Sequence, residues 1–155
     1  MAFSEQHIIK SSIEIETTPE KIWDFFLNLE KNYTKWHPED HVFWRWVNGK
    51  PLEVGTKIDS KEIIQGHKAG IKAVVLETVK NKKIVLGLRW PFSIVCPKIE
   101  WIIETKGSNC IFTAITYYKF SKAFLWFHNI NDILNMTKKH MDEEGENLKK
   151  LLELK

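Results

Sequence analysis

The segment NINDILNMTKKHMDEEGENLKKLLELK (residues 129–155) decides how this chain folds, because it predicts a long amphipathic helix. At about 100° per residue, most of its apolar side chains share one face with His140, within an arc of roughly 120°. The residues on that face are Ile133, Leu134, Thr137, Met141, Leu148, Leu151 and Leu152. Glu144 falls inside the same arc, whereas the other charged residues between 132 and 153 fall outside it. A buried, ionised carboxylate needs a partner, because leaving it unpaired costs several kcal/mol or more. That partner is a cation, a shared proton or a metal ion.

The rest of the chain predicts a strand, a helix and then a series of strands. Residues 4–18 alternate weakly between apolar and polar side chains, which is typical of a strand. Thr17-Thr18-Pro19-Glu20 has the character of a helix start, with a threonine cap and proline in the first turn. This helix is expected to end within residues 30–33. Six further strands are predicted at residues 42–47, 55–65, 71–79, 83–90, 98–104 and 110–120.

These elements predict one α+β domain spanning residues 1–155. Strands joined by short turns, such as the hairpin signal Asn48-Gly49, are most simply antiparallel. The expected architecture is an antiparallel sheet of about six to seven strands with the final helix over one face. Seven Trp and nine Phe in 155 residues either fill a thick core or line a cavity, and composition does not separate the two.

Composition argues against several classes of function. The net charge is +3, and Arg45 and Arg89 are the only arginines, which disfavours nucleic-acid recognition. Cys96 and Cys110 lie in no CxxC or Cys/His cluster, so buried free thiols are expected rather than a thiolate metal site. The chain shows no signal sequence and no apolar run of membrane-spanning length, which predicts a cytoplasmic protein without membrane insertion.

His140 and Glu144 have a spacing that suits a shared metal ion. Residues at i and i+4 project from one side of a helix, one turn apart. An imidazole and a carboxylate placed in this way are ligands that zinc accepts. The alternative is a simple surface pair, worth about 0.2–0.5 kcal/mol. The apolar position of Glu144 favours the metal site over that alternative.

Glu62 is a second candidate acid. Period-2 alternation places it on the strand face that carries Ile58, Ser60 and Ile64, the more apolar of the two faces. Two inward carboxylates repel one another unless a cation lies between them. The alternatives are a pair between Glu62 and an inward cation, Arg89 being one possibility, or an edge strand that faces water.

His37 and His41 flank a proline in a predicted loop, where functional side chains concentrate. Taken alone, they are better described as a pair of exposed loop histidines. Asp40 or Glu39 could support a ligand histidine through a hydrogen bond.

Two passages resemble the START-like or SRPBCC superfamily, also called helix-grip or birch-pollen-allergen-like. One is IEIETTPEKIW (residues 13–23), a strand that runs into a proline-started helix, and the other is the closing amphipathic helix. The resemblance implies a curved antiparallel sheet wrapped around the C-terminal helix, with an internal cavity between them. Members of the superfamily include lipid carriers, hormone receptors, aromatic cyclases and hydrolases.

A narrower resemblance joins WHPEDHV (residues 36–42), KEIIQG (61–66) and HMDEE (140–144) to the diacetylphloroglucinol hydrolase branch. That family cleaves a carbon–carbon bond in an acylated phenol with zinc held by two His and two Glu. The resemblance implies His140, Glu144 and Glu62 as ligands, with either His37 or His41 as the fourth.

The leading hypothesis is a zinc-dependent hydrolase acting on a small aromatic or polyketide-like ketone, with Glu62, His140 and Glu144 as its catalytic groups. One alternative is a carrier that binds a lipid or aromatic ligand in the cavity. Another is a metal-free polyketide cyclase or dehydratase that uses the same acids with His140 as the acid–base group.

Overall fold

The computed structural model describes residues 4–153, which form a seven-stranded sheet and four α-helices. The strands are β1 (Ser4–Ile15), β2 (His41–Val47), β3 (Lys57–Ile64), β4 (His67–Val79), β5 (Lys83–Leu88), β6 (Lys98–Lys106) and β7 (Asn109–Ser121). The helices are α1 (Pro19–Leu27), α2 (Leu29–Trp36), α3 (Lys122–Phe127) and α4 (Ile130–Glu153), and Phe92–Ile94 form a short 3-10 turn.

All neighbouring strands are antiparallel, in the order β1-β7-β6-β5-β4-β3-β2, so β1 and β2 form the edges. This arrangement confirms the predicted α+β fold. Residues 48–56 connect β2 to β3, so Asn48-Gly49 starts a longer connection and not a two-residue hairpin. In that pair of strands His41 lies opposite Glu62, and a register shift follows His41. The pairing brings two of the candidate site residues together.

The first helical segment differs from the prediction of one helix ending within residues 30–33. Thr18 caps α1 by accepting a hydrogen bond from the Lys21 amide at 3.3 Å. The chain then breaks at Asn28, whose side-chain amide donates to the Asp24 carbonyl at 2.9 Å. Asparagine competes for backbone hydrogen bonds in this way and so interrupts helices. The second helix, α2, continues to Trp36 and places His37 directly after its last turn.

The long helix α4 packs against β1 and α2 through the stripe that its sequence predicts. Its buried residues are Met141, Glu144, Gly145 and Leu148. The Trp36 indole donates to the Glu144 carbonyl at 3.0 Å, and the Asn147 side chain donates to the Trp36 carbonyl at 2.9 Å. These two bonds hold the end of α2 against the middle of α4.

The aromatic side chains both fill a core and border a cavity. Phe26 is fully buried and stacks on Trp101, with 4.5 Å between ring centroids, and on Phe112 at 5.6 Å. A cavity of about 570 Å³ remains between the sheet and α4, lined mainly by apolar side chains. Cys96 and Cys110 are buried free thiols, as predicted. Within residues 4–153, no helix has the length and apolar character needed to cross a membrane.

Candidate functional site

The candidate site lies where the end of α2, the start of β2 and the middle of α4 meet. His41 begins β2, and Glu62 faces it from β3. His140 and Glu144 approach from α4, and His37 follows the last residue of α2. All five side chains lie within one region of the fold, although His37 and Glu144 are 107 positions apart in the sequence.

His41, His140 and Glu144 converge on one point. The Nε2 atom of His41 lies 3.0 Å from Glu144 Oε1, and the Nε2 atom of His140 lies 3.3 Å from the same oxygen. One ligand atom from each of the three residues lies within 4.8 Å of the others. Two ligand atoms on a tetrahedral zinc ion with bonds of about 2.0–2.1 Å are separated by about 3.3 Å. The spacing of the three side chains therefore suits a shared metal ion.

In its neutral form, His41 points its unprotonated Nε2 atom toward Glu144. Its Nδ1 lies 2.9 Å from the Tyr33 carbonyl, which can only accept, so the ring proton is on Nδ1. Its Nε2 is buried and makes no aligned hydrogen bond, despite its contact with the Glu144 carboxylate. A lone pair facing a carboxylate requires a second proton or a metal ion between them. A histidine that binds a metal would show such an unpartnered nitrogen in a structure without the metal, so His41 Nε2 is a candidate ligand atom.

His140 is oriented by a carboxylate on its far side. Its Nδ1 lies 3.1 Å from Asp40 Oδ2, while its Nε2 faces Glu144. A ligand histidine commonly donates its second ring N–H to a carboxylate in this way, which fixes the ring's orientation and tautomer. Burial opposes the positive charge of His140, but the nearby Glu144, Glu62 and Asp40 carboxylates raise its pKa above the usual value. Metal-free His140 is therefore protonated at neutral pH.

His37 has the opposite tautomer and both of its ring nitrogens are occupied. The Asp40 amide donates to His37 Nδ1 at 3.1 Å, so the proton is on Nε2, which donates to Glu143 Oε2 at 2.7 Å. His37, Asp40 and His140 also lie within 4.8 Å of one another. The His37 ring stacks on His140, with 4.6 Å between centroids. Among residues 4–153, both ring nitrogens of His37 are hydrogen-bonded, whereas His41 Nε2 is buried without a hydrogen-bond partner.

Glu62 lies beside this centre but outside it. Its Oε1 accepts a hydrogen bond from the Tyr33 hydroxyl, and it lines the cavity as its strand alternation predicts. Among residues 4–153, no Lys or Arg forms an ion pair with Glu62, and Glu62 belongs to neither His/acid group. Burial and the Glu62 charge raise the pKa of Tyr33 well above its usual value, so Tyr33 stays a neutral donor. Of the ligands that the resemblance implies, His41, His140 and Glu144 lie within 4.8 Å of one another, and Glu62 lies outside that group.

Glu144 is buried, as its place in the stripe of α4 predicts. Burial favours the neutral acid, but the His140 and His41 rings lower the pKa of Glu144 below its usual value.

Sequence reasoning missed Tyr33, which is 1% exposed and shares the buried face of α2 with Trp36 at i, i+3. Burial also raises the pKa of Cys96 to about 12, so this cavity thiol is neutral and a poor nucleophile.

Comparisons with known proteins identify the fold. No family model matches this sequence, and no curated protein matches it. Truncated norcoclaurine synthase from Thalictrum flavum superposes with a TM-score of 0.76 at 13% identity, covering 100% of this chain and 98% of that one. Major latex-like protein 151 from Panax ginseng gives 0.74 at 11% identity, covering 96% and 98%. A START superfamily protein from Mycobacterium smegmatis gives 0.73 at 15% identity, covering 95% and 97%. The chain has the START-like, helix-grip fold that its sequence resembles.

The raised pKa of His140 makes the stability of the metal-free protein depend on pH. The unfolded chain loses this proton near its reference value of 6.5, whereas the folded protein keeps it to higher pH. The stabilisation is therefore complete below about pH 6.5 and is lost as pH rises through the raised pKa. We expect the free energy of unfolding to fall above that pH by up to about 1.4 kcal/mol per pH unit.

Urea unfolding with a chelator present, between about pH 6 and pH 9, measures this effect. The His140→Gln variant should show a flatter dependence, because it lacks the titrating ring. Parallel curves for the two proteins would show that His140 carries no raised pKa.

Proposed function

We propose that this protein is a zinc-dependent hydrolase that acts on a small aromatic or polyketide-like ketone bound in its internal cavity. The observation that carries the proposal is the convergence of His41 Nε2, His140 Nε2 and the Glu144 carboxylate. Of these three residues, His140 and Glu144 line the cavity. A lipid carrier has little use for two inward acids such as Glu62 and Glu144. The resemblance of residues 36–42, 61–66 and 140–144 to the diacetylphloroglucinol hydrolase branch supports the same conclusion.

The residues present fit a catalytic zinc ion better than a structural one. Two imidazoles and one carboxylate form a ligand type found in catalytic zinc sites, where the remaining position is left for water or substrate. A saturated set of four protein ligands would instead favour a structural ion. The hydrogen bond from Tyr33 holds Glu62 apart from His41, His140 and Glu144, which supports the three-ligand arrangement.

When bound, zinc would supply a Lewis acid that polarises a ketone oxygen or lowers the pKa of a bound water. The chain supplies the rest. Glu62 keeps one carboxylate oxygen on Tyr33 and has a second oxygen with which to take a proton from a nucleophile. Asp40 and the Tyr33 carbonyl fix the two histidine rings, so neither ring must reorient during the reaction.

The cavity supports a small apolar substrate. Its volume of about 570 Å³ lies within the usual range for small-molecule sites, and Trp44, Trp101 and Tyr118 are among its lining residues. Proteins of this fold typically bind small hydrophobic ligands. A structure of norcoclaurine synthase, which shares the fold at 14% identity, contains dopamine and hydroxybenzaldehyde. An aromatic ketone would therefore suit this interior.

A second candidate function is the non-catalytic binding of a hydrophobic ligand, favoured by the mainly apolar lining of the cavity. In that case the histidines and acids orient the ligand without a metal. Native mass spectrometry separates the two functions, because a carrier would retain an organic ligand and no zinc.

The proposal is tested by the zinc content and hydrolytic activity of tag-free protein. We expect about one zinc per chain and release of acetate from diacetylphloroglucinol that chelation abolishes and added zinc restores. His41→Ala should lose the zinc and the activity, because it removes a ligand. The matched variant His37→Ala should keep about one zinc per chain at saturating metal, because His37 packs on His140 and binds the Asp40 amide and Glu143 but is not one of the three proposed ligands.

Two results would contradict the proposal. One is a wild-type protein that binds no zinc even after its addition, which would favour the ligand-binding function or metal-free acid–base chemistry. The other is loss of zinc in His37→Ala with retention in His41→Ala, which would reverse the ligand assignment.

Asp40 provides a separate test of how the site is organised. Asp40→Asn removes the carboxylate that orients His140 but leaves the three proposed ligands in place. We expect the zinc dissociation constant to rise about 10–100-fold, as is usual when such a supporting carboxylate is lost. Competition with a chromogenic chelator measures this constant. The neighbouring Glu39→Gln is the control, and equal affinities for both variants would show that Asp40 does not position His140.

A further inference from the structure

A group of large apolar side chains is exposed on two segments that lie apart from the candidate metal centre. We call it the apolar rim, and its members are Trp90, Ile94, Trp126 and Phe127. Their exposed fractions are 75%, 62%, 84% and 77%, respectively. Exposed tryptophan and phenylalanine side chains grouped in this way mark interaction surfaces more often than chance placement does. Nothing in the proposed hydrolysis requires them.

The two segments of the rim are neighbours in the fold. The Lys119 amide at the end of β7 donates to the Val95 carbonyl at 2.9 Å, which joins the 3-10 turn to the strand that leads into α3. Phe124 of α3 also stacks on Phe120 of β7, with 5.2 Å between ring centroids. The rim is therefore built on two segments held together by β7.

The rim lies beside one end of the cavity. Phe92 and Val95, on either side of Ile94, line the cavity, and so do Ile133 and Met136 in the first turns of α4 after α3. The rim thus flanks a part of the wall through which an apolar compound could enter.

The charges within the two segments that carry the rim are of one sign. Residues 89–99 and 117–131 contain basic residues and no Asp or Glu. Arg89 and Lys119 are exposed and form no ion pair with another residue in the range 4–153. Lys98, in the first of the two segments, pairs with Glu100 at 3.0 Å. A surface that combines exposed Trp and Phe with cations complements anionic lipid headgroups.

We infer that the apolar rim, with Arg89 and Lys119 beside it, docks the protein on the surface of an anionic phospholipid bilayer. The contact is peripheral: Trp126, Phe127 and Trp90 enter the headgroup region, and the cations bind lipid phosphates and carboxylates. A second copy of the chain fits the rim less well, because a symmetric contact would bring like charges together. Docking there would place the cavity wall against the phase in which apolar compounds dissolve.

Vesicle sedimentation of the metal-free protein tests the inference independently of zinc binding and hydrolysis. The probes are phosphatidylcholine vesicles with and without about 30% phosphatidylserine. We expect at least about tenfold stronger binding to the anionic vesicles, weakened by added salt. The double substitution Trp126→Ala and Phe127→Ala should reduce that binding at least about tenfold, because it removes the most exposed apolar area.

Val54→Ser is the matched control, because it removes an exposed apolar side chain outside both segments and should leave binding unchanged. Arg89→Gln with Lys119→Gln should abolish most of the preference for anionic vesicles. All of these residues are exposed, so folding should be retained, and circular dichroism verifies it. Failure of the wild type to bind anionic vesicles would overturn the inference. So would a dimer, seen by sedimentation velocity, that the Trp126→Ala and Phe127→Ala substitutions dissociate without any change in vesicle binding.

Discussion

The rest of the site depends on the contacts that compensate the buried carboxylate of Glu144. A charge in the apolar stripe of α4 would destabilise the packing of this helix unless the surrounding elements compensate it. They do so from two directions, because His140 approaches along the helix and His41 approaches from the start of β2. The same contacts fix the position of α2. The Trp36 indole donates to the Glu144 backbone carbonyl, the Tyr33 carbonyl accepts from His41, and the Tyr33 hydroxyl donates to Glu62.

This arrangement links stability to chemistry. In the metal-free protein the positive charge on His140 partly balances Glu144, which is why the two pKa values move in opposite directions. A metal ion at the same point would replace the proton of His140, so zinc binding would release protons and weaken at low pH. Under the proposed function, the same three side chains would stabilise the fold without metal and hold zinc when it is available. The site then needs no large rearrangement between the two states.

Much of the fold could be predicted from the sequence because its elements have strong local signals. Strand alternation and turn residues located all seven strands to within a few residues, and the amphipathic stripe located α4 and the burial of Glu144. The break at Asn28 was missed because a side-chain hydrogen bond to Asp24 decides it, and apolar periodicity does not register such bonds. The short helix α3 was missed because its exposed Trp126 and Phe127 give it no amphipathic pattern.

The candidate site was predictable in residue type but not in detail. His140, Glu144 and Glu62 could be selected because their positions on a helix or strand face follow from chain periodicity. The choice between His37 and His41 could not be made, because it depends on which ring nitrogen meets the Tyr33 carbonyl or Glu143. The contact with Glu143 joins residues that are 106 positions apart, and the contact with Tyr33 depends on how the chain turns from α2 into β2. The role of Tyr33 was hidden for the same reason, since its partner Glu62 lies on another element.

The central claim, that His41, His140 and Glu144 bind one metal ion, is tested most directly by crystallography at the zinc absorption edge. Crystals grown with one equivalent of zinc should show a single anomalous peak about 2.0–2.2 Å from His41 Nε2, His140 Nε2 and a Glu144 oxygen. His37 should remain on Glu143, and Glu62 should remain on Tyr33. A zinc peak on His37, or no peak between these three side chains in a well-ordered crystal, would contradict the account.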